Sequence, residues 1–305
     1  MDKTFIFGHK KPDTDSVTSA IVMANLEKRL GNNAEAAKLG KINKETKYVF
    51  EHLGIEEPTT ISEVDQKQEV ILVDHNEFAQ SAENIENAHI LKVVDHHTMC
   101  FNCAHPLYYR AEPVGCTATV LYKMYRENEI KVDKQIATLM LSAIISDTLL
   151  FKSPTCTEQD KKIAKALSEL AEIDMQKYGL EMLKAGTDIS DLTAEEIIDV
   201  DAKEFNVKDK KFYVAQINTA DINDVMGKKD QIENAIKQQI DGKNLDFFLF
   251  AATDIINNNS QVIALGDQAK VVEKAYHIPL QDNSAFLEGV VSRKKQIIPV
   301  ISENL

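Results

Sequence analysis

The sequence predicts an α/β protein, with an N-terminal doubly wound parallel sheet followed by a smaller C-terminal α/β domain. Three observations predict it. Short apolar runs, Thr4-Phe5-Ile6-Phe7, Val70-Ile71-Leu72-Val73 and Ile90-Leu91-Lys92-Val93-Val94, have the near-continuous hydrophobicity of strands buried on both faces. Segments of helical length and pattern separate them, and strand–helix alternation means a parallel sheet. After a turn-rich stretch at 186–193 the alternation resumes with different spacing.

Taken in order, a strand at 4–8 runs into a loop and a helix at 16–30. That helix has Val17, Ile21, Ala24 and Leu26 compatible with one buried face, and Gly31-Asn32-Asn33 stops it. A strand at 34–39 and a helix at 43–53 follow, with Gly54 ending the helix. The strand at 70–73, a helix at 81–87 and the strand at 90–94 continue the pattern. Helices are then expected at 116–127, 133–149, 157–172 and 174–185. The small and polar residues after Gly186 place a linker at 189–193, between domains 1–188 and 194–305. Beyond it, strands are expected at 212–217, 246–255 and 261–266, with helices at 222–240 and 270–276. A last strand is expected at 290–300, where Ser292-Arg293-Lys294-Lys295-Gln296 lies between Val290-Val291 and Ile297-Ile298. In a strand, Arg293 and Lys295 would share one face and Lys294 the other, unless a bulge intervenes.

Composition narrows the function. With a net charge of −13, the chain lacks the basic surplus that non-specific nucleic-acid binding needs. A small anionic substrate is still allowed, because ions and a few local cations can reverse the potential in one site. No apolar run is long enough for a transmembrane helix. The first residues lead directly into a strand without a signal-peptide pattern, so a cytoplasmic protein is expected. The 4 cysteines do not make a disulfide framework; Cys100, Cys103, Cys116 and Cys156 read as free thiols in a reducing compartment. Cys100-Phe101-Asn102-Cys103 with His105 lacks the second ligand pair of a structural zinc site.

The chemistry-bearing residues fall at strand ends, where open α/β sheets place their ligands. The first strand delivers His9, Asp13 and Asp15, the second Asp74 and His75, and the third Asp95, His96 and His97. Asp147 closes the apolar segment Leu141-Ser142-Ala143-Ile144-Ile145-Ser146. So many carboxylates and imidazoles over-fill one metal site and fit two ions sharing a bridging carboxylate. Imidazole among oxygen ligands favours Mn or Co over Mg. No G-x-x-x-x-G-K phosphate loop is present.

His9-x-x-x-Asp13-x-Asp15, Asp74-His75, Asp95-His96-His97 and Ser146-Asp147-Thr148 together resemble the DHH phosphoesterase superfamily. With the more selective Ser292-Arg293-Lys294-Lys295, the chain resembles family II, manganese-dependent inorganic pyrophosphatases over essentially its whole length. The resemblance implies a DHH metal-binding catalytic domain, a DHHA2-type substrate-binding domain and an active site in the cleft between them. It implies hydrolysis of inorganic pyrophosphate to two phosphates by a hydroxide held between two Mn2+ ions per subunit. Co2+ would substitute, and Mg2+ would accompany the substrate. His9 and Asp13 would ligate the first ion and Asp15 the second, with Asp74 bridging and His96 and Asp147 completing the second site. Asp95 would orient a ligand, and His97, Lys203, Arg293 and Lys294 would meet the substrate. His75 would have a supporting role. Gln80 and Ser81 would lie near the dimer contact of a homodimer formed through the N-terminal domain. The alternatives are an exopolyphosphatase or another DHH phosphoesterase, and a non-catalytic metal-binding or nucleotide-sensing protein. The nuclease-type relatives carry a glycine-rich C-terminal motif, and this chain contains no Gly-Gly.

Overall fold

The computed structural model describes residues 3–305. It begins with β1 (Thr4–Phe7), α1 (Thr14–Arg29), β2 (Ala34–Lys38), α2 (Lys44–Leu53), β3 (Thr59–Thr60) and β4 (Glu69–Val73). Next come β5 (His89–Asp95), β6 (Tyr108–Ala111), α3 (Thr117–Glu127), α4 (Lys134–Thr148), α5 (Glu158–Ala171) and α6 (Met175–Gly186). The strands form one six-stranded sheet in the order β3-β2-β1-β4-β5-β6, and every pairing is parallel. From β1 the chain winds outward to β2 and β3, then returns past β1 to β4. The winding direction therefore reverses between β1 and β4, the position where such sheets open a crevice beyond their carboxyl ends.

Local sequence explains the helix ends. Asp13, Asn43 and Asp133 each accept a hydrogen bond from the third following backbone N–H and so cap α1, α2 and α4. Gly54, at φ 62°, closes α2 in the left-handed conformation that glycine adopts without a Cβ penalty. Buried residues run through α4 from Ile136 to Ile145, so this helix is packed on nearly all sides.

The helix expected at 81–87 is not formed. Two short 3-10 turns, Phe78–Gln80 and Ile85–Asn87, stand in its place. Glu83 N–H donates to Ser62 and Val64 N–H donates to Glu83, which ties this segment to a neighbouring extended one, and Asn84 turns left-handed at φ 62°. These bonds use the backbone groups that a helix would need. β6 has no strand signature in the sequence, because Tyr108-Tyr109-Arg110-Ala111 is polar and half exposed, without the apolar run of an inner strand.

Contacts separate a unit ending at Gly186 from a second unit, Thr187–Leu305. The second contains α7 (Ala194–Asp199), β7 (Ala202–Val207), β8 (Lys210–Thr219), α8 (Ile222–Met226), α9 (Lys229–Lys243) and β9 (Phe247–Asp254). It ends with β10 (Asn259–Leu265), α10 (Val271–Tyr276), β11 (Ser284–Leu287) and α11 (Ile298–Asn304). Its five-stranded sheet has the order β11-β10-β9-β8-β7, with β8 and β9 parallel and the other neighbours antiparallel. β9 is buried along its length and alternates strictly. Phe248, Phe250 and Ala252 join the core with α7 and α9, while Phe247, Leu249 and Ala251 face α10 and α11. Ile189 is packed into the first of these cores.

The last strand expected at 290–300 is a helix instead. A single π-helical turn, Arg293–Ile297, leads into α11. Ser292 caps the turn by accepting from Lys295 N–H, and Gln296 Oε1 takes the N–H groups of Val291 and Ser292. Pro299 sits in the first turn of α11, where its missing N–H has no cost. β11 occupies the sheet edge, so strand alternation does not govern Arg293, Lys294 and Lys295.

Because Phe250 is wholly buried in the second core, Phe250→Ala should destabilise that unit by about 3–5 kcal/mol in denaturant unfolding. Metal uptake by the first unit should remain unchanged.

Candidate metal centre

The carboxyl ends of β1, β4 and β5 and the end of α4 bring seven of the expected residues together: His9, Asp13, Asp15, Asp74, His96, His97 and Asp147. Three overlapping groups have ligand atoms close enough to hold an ion. They are His9, Asp13 and Asp74; Asp15, Asp74, His96 and Asp147; and Asp74, His96 and His97. Asp74 belongs to all three.

The Asp74 carboxylate is divided between them. Oδ2 lies 3.5 Å from His9 Nε2, while Oδ1 lies 3.4 Å from His96 Nε2 and 3.7 Å from His97 Nδ1. Asp74 itself is left-handed at φ 60°, an unfavourable conformation for a side chain with a Cβ. Its N–H donates to Val94 O at 3.0 Å and Thr117 Oγ1 donates to its Oδ1 at 3.0 Å, so β5 and α3 hold the strained residue in place.

The other carboxylates are held as firmly. Asp13 gives Oδ1 to Ser16 N–H as the cap of α1 and turns Oδ2 toward His9 at 3.4 Å. Asp15 accepts Ser19 Oγ at 2.5 Å and Thr117 N–H at 2.7 Å. Asp147 Oδ2 lies 3.6 Å from His96 Nε2. Gly8 lets β1 run against α1, because a Cβ there would fall 2.7 Å from the Ser16 carbonyl.

Asp95 organises the two histidines. Its Oδ1 accepts the N–H groups of His96 and His97 and lies 2.9 Å from His97 Nδ1. Its Oδ2 accepts from Asn76 at 2.6 Å. His96 Nδ1 contacts Val114 O at 3.0 Å, leaving Nε2 toward the carboxylates. His75 is buried between Val73 O and Ser81 Oγ, and burial holds its pKa down, so it packs as a neutral ring outside the cluster. Ser81 is thus its partner, while Gln80 pairs with Glu77 on the surface.

The charges act strongly on one another. Burial pushes Asp15 up to about 6, helped by Asp74, and drives Asp147 well above the carboxylate range, helped by Asp15 and Asp74. Burial opposes a charged ring at His9, but Asp13 and Asp74 outweigh it and push the group up to about 11. Burial likewise opposes His96, yet Asp74 and Asp15 raise it to about 9. Asp74, despite its burial, is held far below the usual range by His9 and His96. The ion pairs of Asp13, Asp74 and Asp147 run to His9, His96 and His97. Several carboxylates gathered around neutralisable imidazoles are a donor set that divalent cations complete, and the mixture of nitrogen and oxygen suits Mn or Co. The cysteines are free and join none of these groups.

The basic residues lie in the second unit. Arg293 is nearly buried, its guanidinium bound to the Asp201 carboxylate at 2.8 Å and to the carbonyls of Asp201 and Val214. Gln216 takes the Arg293 N–H at 3.2 Å. Lys203, on β7, and Lys294, on the π-helical turn, are exposed. Thr117, Asn76 and Gln216 were not foreseen. Thr117 and Gln216 are uncharged and distant in sequence from the motifs, and only the fold brings them to the carboxylates and the arginine; Asn76 directly follows Asp74-His75, but it is uncharged and its partner is Asp95 on the next strand.

Comparison with known proteins agrees with this architecture. The N-terminal domain of the DHH family matches residues 3–144, and the DHHA2 domain matches residues 180–304. A Bacillus subtilis protein named manganese-dependent inorganic pyrophosphatase is 52% identical over 305 residues, covering 99% of each chain. A Bacillus velezensis protein of the same name, with the qualifier probable, is 54% identical over 305 residues with 99% of each chain covered. The crystal structure of a Methanococcus jannaschii protein described as a family II inorganic pyrophosphatase has 39% identity, a TM-score of 0.65 and 99% coverage of both chains. The fold and domain pair define a two-unit DHH protein. The chain belongs to the family of manganese-dependent inorganic pyrophosphatases.

A metal-ligating imidazole must be unprotonated. His9, at about 11, and His96, at about 9, carry protons at pH 7 in the ion-free protein. Mn2+ uptake at pH 7 should therefore release a proton from each ring, together with any proton that burial holds on the Asp147 carboxyl, and affinity should fall as pH is lowered. Calorimetry in buffers of different ionisation enthalpy reads the number; uptake without proton release would contradict it.

Proposed function

We propose that this chain hydrolyses inorganic pyrophosphate to two phosphates at a dinuclear manganese centre in its first unit. In this reading Lys203, Arg293 and Lys294 are the phosphate-binding groups. The observation that carries it is the division of Asp74, one oxygen toward His9 and the other toward His96. His9 and Asp13 would hold one ion, Asp15, His96 and Asp147 the other, and Asp74 would serve both. The names of the relatives support the substrate and manganese as the metal; the family resemblance adds that Co2+ would substitute and Mg2+ would arrive with the substrate. When bound, the two ions supply Lewis-acid polarisation of phosphoryl oxygens and lower the pKa of a nucleophilic water.

The chain's own groups do the rest. Asp95 engages His97 Nδ1 and favours the charged ring, so Nε2 of this half-exposed side chain is left to donate to a phosphate oxygen. Arg293 offers a fixed planar donor, which a phosphate must share with Asp201 or take from it. Lys203 and Lys294 add mobile point charges against the leaving phosphate. The first unit acts as the metal-binding catalytic domain and the second, which contains the residues 189–193 read from the sequence as a linker, as the substrate-binding domain. Family resemblance supports a homodimer joined through the first unit, and the free cysteines fit a reducing, cytoplasmic compartment. Among the described residues, no helix is long and apolar enough to cross a membrane.

Phosphate release measured across pyrophosphate, polyphosphate and short oligonucleotides tests the substrate. Fast turnover confined to pyrophosphate is expected, and comparable polyphosphate turnover would sink the assignment. Asp74→Asn keeps a residue tolerant of the left-handed region while removing the shared charge. It should abolish most turnover and weaken Mn2+ binding. Lys294→Ala should lower kcat/KM by about 2–5 kcal/mol of lost ion–phosphate interaction, with metal stoichiometry unchanged.

A further inference from the structure

Besides Asp95, a second carboxylate near the cluster belongs to none of the ligand groups. Glu45 lies in the first turn of α2, outside every motif read from the sequence. Its Oε1 accepts two hydroxyls, Thr14 Oγ1 at 2.6 Å and Ser146 Oγ at 2.5 Å. Thr14 stands between Asp13 and Asp15, and Ser146 immediately precedes Asp147. One oxygen atom therefore joins the N-terminus of α1 to the last turn of α4, segments more than a hundred residues apart in the chain.

The surroundings keep Glu45 in place. Asn43 caps α2 through Thr46 N–H, and a carboxylate in a helix's first turn is favoured by the helix dipole. Thr46 Oγ1 lies 3.1 Å from Thr14 Oγ1. On its other side Glu45 meets Gly186, the final residue of α6. A Cβ there would fall 2.9 Å from Glu45 Cβ and 3.1 Å from Oε2. The side chain is therefore confined between the hydroxyls and a helix backbone.

We propose that Glu45 is a positioning residue that ties the loop bearing Asp13 and Asp15 to the helix end bearing Asp147. The inference rests on the dinuclear reading above. Asp13 and Asp15 serve different ions, and Asp147 shares an ion with Asp15. A shared anchor for Thr14 and Ser146 fixes the spacing of all three ligand carboxylates, which would otherwise repel one another in the ion-free state. Glu45 need not touch an ion or the substrate. It supplies an acceptor oxygen at a fixed point.

Mn2+ titration of the full-length protein by calorimetry, with ion-free thermal unfolding measured alongside, tests this. Glu45→Ala should weaken Mn2+ affinity about 10-fold, the lower end of the effect seen when groups supporting metal ligands are removed. Glu45→Gln retains a carbonyl acceptor without the charge and should bind Mn2+ within about 2-fold of wild type. Ser146→Ala, which removes one of the two hydroxyls, should fall between them. A Glu45→Ala protein that binds Mn2+ as wild type does, or a Glu45→Gln protein as weak as Glu45→Ala, overturns the positioning role. If both variants lose thermal stability equally but bind Mn2+ normally, Glu45 is a packing residue and the proposal fails. Wild-type protein that takes up no Mn2+ would overturn the dinuclear reading together with this one.

Discussion

A single buried carboxylate, Asp74, is the constraint on which the rest of the structure depends. It emerges from β4 beside the reversal of the winding direction, left-handed and almost without solvent. A lone buried charge of this kind is costly. Here it is offset by two histidines on opposite sides, a threonine hydroxyl and the rigidity of two neighbouring strands. The imidazoles can supply that compensation only while protonated, and ions would supply it more strongly.

Around this residue, neutral hydrogen-bond donors do most of the aiming. Thr117 serves Asp15 through its N–H and Asp74 through its hydroxyl, linking α3 to both. Asn76 takes Asp95 with its amide nitrogen and Cys100 N–H with its oxygen, so the turn after β5 is fixed from both ends. Threonine and asparagine give direction without adding positive charge, and so leave the carboxylates free for ions. The second unit follows a different rule, because its central cation is already engaged by Asp201 and by backbone carbonyls.

Most of the first sheet was legible because β1, β4 and β5 are continuous apolar runs, which periodicity reads well. The acidic and imidazole residues were legible because they sit where such strands end. What escaped has physical causes. β6 is a half-exposed edge with no hydrophobic signature, and the turns at 78–87 are set by pairing with a distant extended segment. The stretch after Val290 reads as a strand because Val-Val and Ile-Ile bracket the basic residues. Capping by Ser292 and the side chain of Gln296 outweigh that β preference and wind it into a helix. Thr117 and Glu45 carried no local signal, since their meaning comes from partners far along the chain.

The residues of the three groups able to hold an ion, His9 to Asp147, all belong to the unit that ends at Gly186. This has a consequence for biosynthesis. Domains generally fold in order as the ribosome extends the chain. The cluster is therefore complete once the first unit has emerged from the exit tunnel, before Thr187–Leu305 has finished being translated. Cation loading can then accompany the folding of a nascent chain and does not have to wait for its release.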